Sequence, residues 1–324
     1  MAREAIVAEP GSGAVANVLA AARPRMRFDW TYAIFLVPGL VAFAVLVVAP
    51  FAANVYLSFT RWTGVRTPVW IGLANYTRAF GDAIFWTSFR NNLLLIIGMT
   101  IVPTLIGLLL GAALFDYVAK RFGNTLANFF RAGFYLPQII PVVVAAIVWG
   151  WILQPNWGAL NETLRAVGLG FLAGNWLGDS HTALWSVMLM LVWFQIGYPL
   201  VIFMAGMQRV DPEIYEAAAI DGATWMRRFW RITVPLIRPE IYVVVLTTTI
   251  AALKTFAPIY AMTRGGPGNA TMVASYFSYK NFFENANVGY GATMSTVLTV
   301  VVMIITVIYI RMQTQQEEKD SGTR

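Results

Sequence analysis

Few residues in this chain could do covalent chemistry, and most routes are closed by their absence. Its 324 residues include no cysteine and one histidine, His181. Thiolate metal sites, disulfides, iron–sulfur clusters and histidine clusters are therefore excluded. No Gly-Lys pair occurs, so there is no G-x-x-x-x-G-K-[ST] phosphate loop, and neither HExxH nor GxSxG is present. What remains is one unusual charge and one unusual segment. Lys254 stands inside a long apolar stretch, where a charge costs at least ~2.5–3.5 kcal/mol on insertion scales. It should face water, a partner or a bound solute. The segment is the loop over residues 208–239, in which helix caps, alanines, aromatic residues and arginines follow one another in a fixed order.

The elements that hold these residues are apolar helices. Hydrophobic residues make up 58% of the chain and charged residues 12%, about half the charge of an ordinary soluble domain. That composition points to an all-α polytopic membrane protein, since a bilayer core needs about 20 apolar residues per helix. Six stretches qualify: 31–55, 92–115, 134–153, 183–207, 241–262 and 291–310. Pro103, Pro137, Pro141, Pro199 and Pro258 should loosen or kink the helices that carry them. Gly107 and Gly111 have the spacing that lets two helix backbones approach closely. The net charge of +7 fits basic loops rather than a nucleic-acid surface. Arg209, Arg227, Arg228, Arg231 and Arg238 fall in the loop between spans four and five, and the wider Lys/Arg bias places both termini in the cytoplasm. The spans lack the Asp, Glu and His relay of a proton-coupled carrier. The expected organisation is a cytoplasmic tail over residues 1–30, a membrane domain over 31–312 and a second cytoplasmic tail over 313–324.

Residues 208–239 divide into physical parts. Asp211 can cap a helix, with Pro212 at its first position and Glu213 in its first turn. Ile214 to Ile220 supply about two alanine-rich turns, and Gly222 ends them. Trp225, Phe229 and Ile232 then recur at helical spacing, and Pro239 and Glu240 open the next span. The expectation is a short surface helix joined rigidly to two spans.

This segment resembles the E-A-A signature of the permease subunits of binding-protein-dependent ABC importers. The signature has E-A-A, three residues, glycine, nine residues, then I-x-L-P. Here it reads Glu216-Ala217-Ala218, Gly222, and Ile232-Thr233-Val234-Pro235, with Val234 in place of the usual leucine. Leu136-Pro137 with Pro141, Trp149-Gly150-Trp151 and Gly158 to Asn161 look like carbohydrate members of the superfamily, of the maltose and glycerol-phosphate type. So do Phe256 to Tyr260, Thr263 to Pro267 and Thr271. The likeness covers about residues 30 to 312.

The resemblance implies a six-helix type I importer fold in the cell's inner membrane, doing no covalent chemistry. It implies that Glu216, Ala217, Ala218, Asp221, Gly222, Ile232 and Pro235 couple the chain to a separate ATPase. The alanines allow close approach, Glu216 makes a charged contact and Gly222 makes the turn. ATP and Mg would be bound by that ATPase, leaving this chain without a cofactor or metal. The implied partners are a second related permease, two ATPase subunits or domains, and an extracytoplasmic solute-binding protein. A sugar needs aromatic platforms and neutral hydrogen-bonding groups. Trp193, Gln195, Tyr198, Lys254, Thr255 and Tyr260 are the expected path residues, with Thr293, Ser295, Thr296 and Thr299 on span six. A polyol or glycerol phosphate diester is the alternative solute. An integral-membrane enzyme is the rival class, and it would need an Asp, Glu or His cluster at one membrane face.

Overall fold

The computed structural model describes the backbone of residues 30–322 and the side chains of residues 34–315. The tail expected over residues 1–30 lies outside the described residues except for Trp30. By contacts the chain divides into two units, residues 1–53 and 54–324. In the first unit the described residues form one apolar helix, the start of α1 (Ile34–Ser58). Its side chains are exposed, Phe35 at 76% and Leu46 at 74%. A helix that is apolar all round satisfies its own backbone and leaves its surface to lipid or to another protein.

The second unit is a bundle of helices. A short helix, α2 (Ala74–Gly81), leads into α3 (Ala83–Phe122), which is 40 residues long. Asp82 caps α3, its carboxylate accepting from the Ile84 N–H at 2.8 Å. The α3 ladder widens into i→i+5 turns at Ile97–Ile101, directly before Pro103, whose ring removes one backbone donor. Next come α4 (Asn124–Ile139) and α5 (Val142–Ile152), bent by 94°. The sequence expects a single span over 134–153, and the structure replaces it with two helices. The reason is Pro141, which pushes Ile140 out of helical geometry to φ −76°, ψ 136°.

Beyond an outer helix, α6 (Ala159–Ala166), runs α7 (Ala183–Met207). The coupling loop holds α8 (Pro212–Ile220) and α9 (Trp225–Leu236), and α9 meets α10 (Arg238–Leu253) at 72°. The fifth stretch read from sequence, 241–262, is also not one helix. α10 stops at Leu253, and α11 (Ala257–Met262) starts after an interruption. Last come α12 (Ala274–Tyr279) and α13 (Val288–Gln315), whose backbone stays helical to Gly322, past the boundary expected at 312. Among the described residues the only strands are β1 (Thr60–Arg61) and β2 (Val69–Trp70), an antiparallel pair. Four helices are long and apolar enough to cross a membrane, or six if each bent pair counts as one span.

Two apolar clusters position the functional parts. The larger joins the first half of α3 to α5, α7, α10, α11, α12 and α13, with Leu95, Met190, Leu253, Ile259, Tyr276 and Met294 buried in it. The second lies at the coupling-loop end. It gathers Leu108 and Ala112 of α3, Phe203 and Met207 of α7, Phe229 of α9, Ile237, and Val244 of α10. Gly107 makes the α3–α7 approach possible. A Cβ there would lie 2.7 Å from Pro199 Cβ and 2.9 Å from the Leu200 backbone nitrogen. The close packing expected of this glycine is therefore made within the chain itself.

Candidate functional site

The coupling loop is built as its residues dictate. The Asp211 carboxylate accepts from the Glu213 N–H at 3.0 Å, and Pro212 takes the first helical position, where its missing N–H costs nothing. At the other end of α8 the Asp221 N–H donates to Ala217 O at 3.0 Å and the Ala223 N–H donates to Ala218 O at 2.9 Å. Gly222 between them has φ +72°. This is a left-handed C-terminal cap that uses glycine for its backbone freedom. The Thr224 hydroxyl then accepts from the Arg227 N–H at 3.4 Å, starting α9.

One face of this loop is anchored and the other is free. Phe229 is 2% exposed, and its ring stacks on Trp225 with centroids 5.4 Å apart and planes at 9°. The buried Tyr215 hydroxyl meets Thr233 Oγ1 at 3.1 Å, and burial pushes that phenol above its ordinary pKa, keeping it neutral. Arg209 and Glu240 form an ion pair that closes the base of the loop. The free face carries Glu216, Ala217, Asp221 and Gly222, all exposed, with Ala218 half-buried. Ile220 is 87% exposed, and Met226 and Trp230 about half. Ile232 and Pro235 are half-buried. Four of the seven expected coupling residues are thus exposed and three are half-buried.

The second site is the interruption between α10 and α11. A broken helix leaves carbonyls without partners. Asn92 of α3 supplies them: its amide donates to Ala252 O at 3.1 Å and Leu253 O at 3.2 Å, while its oxygen accepts from the Ala274 N–H at 2.8 Å. The adjacent Asn91 amide donates to Ala270 O and Met272 O, each at 2.9 Å. The Ser275 hydroxyl donates to Thr255 O. Lys254 is the residue after the last turn of α10, where the helix dipole favours a cation.

Lys254 opens into a cavity of about 430 Å³, lined also by Ser275, Ser278, Ser295, Thr299 and the apolar Leu298 and Val302. The hydroxyl protons there are already committed. Ser278 donates to Gly291 O at 2.8 Å, Ser295 to Asn54 Oδ1 and Ala292 O at 3.0 Å, and Thr299 to Ser295 O at 2.8 Å. Their oxygens remain acceptors, while the Lys254 ammonium is a donor with no carboxylate in ion-pair range among the described residues. The wall is therefore acceptor-rich with one cationic donor.

The other expected path residues do not gather there. Trp193 packs on Trp149, centroids 5.6 Å apart, and both line an apolar cavity of about 350 Å³ with Ile140 and Val144. Gln195 meets Gln138 at 3.4 Å. Tyr198 meets Thr247 at 3.1 Å, two turns before Lys254 on α10. Thr255 is buried and donates to Ala251 O at 3.0 Å. Tyr260 belongs to an aromatic cluster, stacked on Phe256 at 5.6 Å with the Arg264 guanidinium 5.7 Å from its ring centroid. Ser275, Ser278, Asn91 and Asn92 escaped the sequence reading. Two adjacent asparagines in an apolar span, each needing partners, were the available signal.

Comparisons with known proteins identify the family. Residues 104–319 match the family "Binding-protein-dependent transport system inner membrane component". The chain is 35% identical over 287 residues to a probable ABC transporter permease protein, YurN of Bacillus subtilis, covering 88% of this chain and 97% of that one. It is 33% identical over 299 residues to NgcF of Streptomyces coelicolor, a diacetylchitobiose uptake system permease protein, covering 87% and 83%. In fold it is similar to a chain of a bacterial ABC transporter that imports the acidic polysaccharide alginate, with a TM-score of 0.76 at 22% identity over 89% of this chain and 96% of that one. Helix architecture, coupling-loop signature and relatives converge: the chain belongs to the inner-membrane components of binding-protein-dependent transport systems, as a permease subunit of an ABC importer and not an enzyme.

Proposed function

We propose that this permease forms part of a translocation path for a carbohydrate, with the Lys254 cavity as a station on that path. The observation that carries the reading is the cavity wall. Four hydroxyl oxygens that can accept, one ammonium that can donate and an apolar strip from Leu298 and Val302 suit a solute with many O–H donors and C–H faces. NgcF, a relative over most of the chain, is named for sugar uptake.

In this reading the free face of α8 docks on a separate ATPase. Glu216 supplies a charged contact there, and Ala217, Ala218 and Ile220 supply close apolar contact. The energy comes from ATP and Mg held by two ATPase subunits or domains. The remaining partners are a second related permease and an extracytoplasmic binding protein that delivers the sugar. Both termini lie in the cytoplasm, because the basic coupling loop does. A glycerol phosphate diester is the second reading, favoured by one observation: among the described residues the Lys254 ammonium has no carboxylate partner.

The test is uptake by the assembled transporter across a panel of labelled sugars, polyols and phosphodiesters. Sugar uptake that is lost in Gly222→Trp while the complex still assembles supports the reading. Uptake of a phosphodiester and of no sugar replaces it with the second.

A further inference from the structure

A second cavity, larger than the one at Lys254, opens at the coupling-loop end of the bundle. It measures about 580 Å³ and lies where the end of α3, the start of α4 and the end of α7 meet. Its polar wall is Lys120, Asn124, Asn128, Arg131 and Gln208, and its apolar wall includes Phe115 and the buried Met204.

The charges around it do not balance. Lys120 is shared with Asp116 at 3.3 Å, an exposed pair of little strength. Arg131 has no carboxylate within ion-pair distance among the described residues and is half-buried against the cavity. Asn124, Asn128 and Gln208 add amide donors. Arg121 faces elsewhere, its guanidinium over the Tyr117 and Phe122 rings. An uncompensated guanidinium flanked by a lysine and three amides selects an oxyanion, and an arginine fork matches phosphate in particular. The apolar wall beside it suits a ligand that is charged at one end only.

We propose that this cavity binds a phosphate group, with the headgroup of an anionic membrane phospholipid as the source that also uses the apolar wall. The site lies at the ends of α3 and α7, two helices long and apolar enough to cross a membrane, and basic pockets between such spans collect anionic lipids. Phe115 and Lys120 also line a separate groove of about 240 Å³ with Tyr215, Glu216 and Arg228 of the coupling loop. An occupant would thus press on the same two side chains that back the coupling helix.

The test uses the complete transporter, with partner permease and ATPases, in nanodiscs of phosphatidylcholine with or without phosphatidylglycerol. The readouts are phosphatidylglycerol retained after detergent washing, counted by native mass spectrometry, and thermal stabilisation by inorganic phosphate in pure phosphatidylcholine. Retention should fall about fivefold in Arg131→Gln, from the attraction of one basic residue near an anionic surface. It should be unchanged in Arg121→Gln, which removes an equal charge outside the cavity. Asn128→Leu, which fills the cavity without changing charge, should lower retention as well. Stabilisation by inorganic phosphate that depends on Arg131 would assign the site to free phosphate as well as to lipid. Equal retention in all four proteins, with no phosphate effect, overturns the site. Equal loss in Arg121→Gln and Arg131→Gln reduces it to general surface charge and overturns it too.

Discussion

Single residues decide the two sites by what they lack. Among the described residues Lys254 has no counter-ion, and its cavity lacks any other free side-chain donor among the hydroxyls that line it. Lys254→Met should therefore lower apparent affinity for the transported solute about tenfold, the worth of one charge-assisted hydrogen bond. The variant should insert at least as well, and uptake kinetics at fixed expression check it. Unchanged affinity would remove Lys254 from the path. Asn92 is the opposite case, a residue whose every polar atom is used. Asn92→Leu strands the buried Leu253 carbonyl and the Ala274 N–H, while Ala252 O keeps the Thr255 N–H at 3.3 Å. It should cost about 3 kcal/mol, read as a lowered Tm of the purified complex. Asn92 stands out beside Asn91 in an apolar span, but the break it serves was not legible in sequence, because donor and carbonyl are separated by 160 positions. Lys254 was legible, because a charge in an apolar stretch stands out without knowledge of its neighbours.

At the scale of elements, the coupling loop was readable almost completely. Its signals are local: Asp211 and Pro212 start α8, Gly222 stops it, and Trp225 with Phe229 marks the buried face of α9. Gly222 has φ +72° but no atom within 4 Å of the position a Cβ would take. Strain and bulk can therefore be separated. Gly222→Ala should cost about 1–2 kcal/mol in Tm measurements and retain coupling, because only the left-handed backbone is penalised. Gly222→Trp should assemble but transport poorly, because a large side chain then stands on the free face. Equal uptake by both would show that this face touches nothing. The interior elements were less readable. Pro141 announced a distortion, but a loosened helix and a 94° bend leave the same trace in sequence. Trp193 was expected as a platform for a solute, and its pairing with Trp149, on another helix, was not legible. Pairings of that kind depend on tertiary neighbours rather than on spacing.

At the scale of the bundle, close helix contacts made by glycine matter more than exposed ion pairs. α3 and α7 meet at Gly107, where an added Cβ would strike backbone as well as Pro199. Gly107→Leu should cost more than 3 kcal/mol, because neither side can yield. The expected result is loss of folded protein in size-exclusion chromatography rather than a folded but inactive complex. The pure chain should hydrolyse no ATP, and activity should appear only when the ATPase subunits are added. A phosphate-release assay checks this. ATP turnover by the chain without them would contradict the absence of any phosphate loop.

One uninterrupted helix, α10, runs from the cluster that anchors the coupling loop to the break at Lys254. Its 16 residues span about 24 Å. Two binding events at its ends are then linked quantities. If a solute in the Lys254 cavity favours one placement of α10, it must alter the affinity of the far end for its partner. The factor is the same as that by which the partner alters affinity for the solute. A titration of ATPase binding to the permease pair, with and without saturating solute, would measure that factor from one side. A solute titration with and without ATPase would have to return the same value.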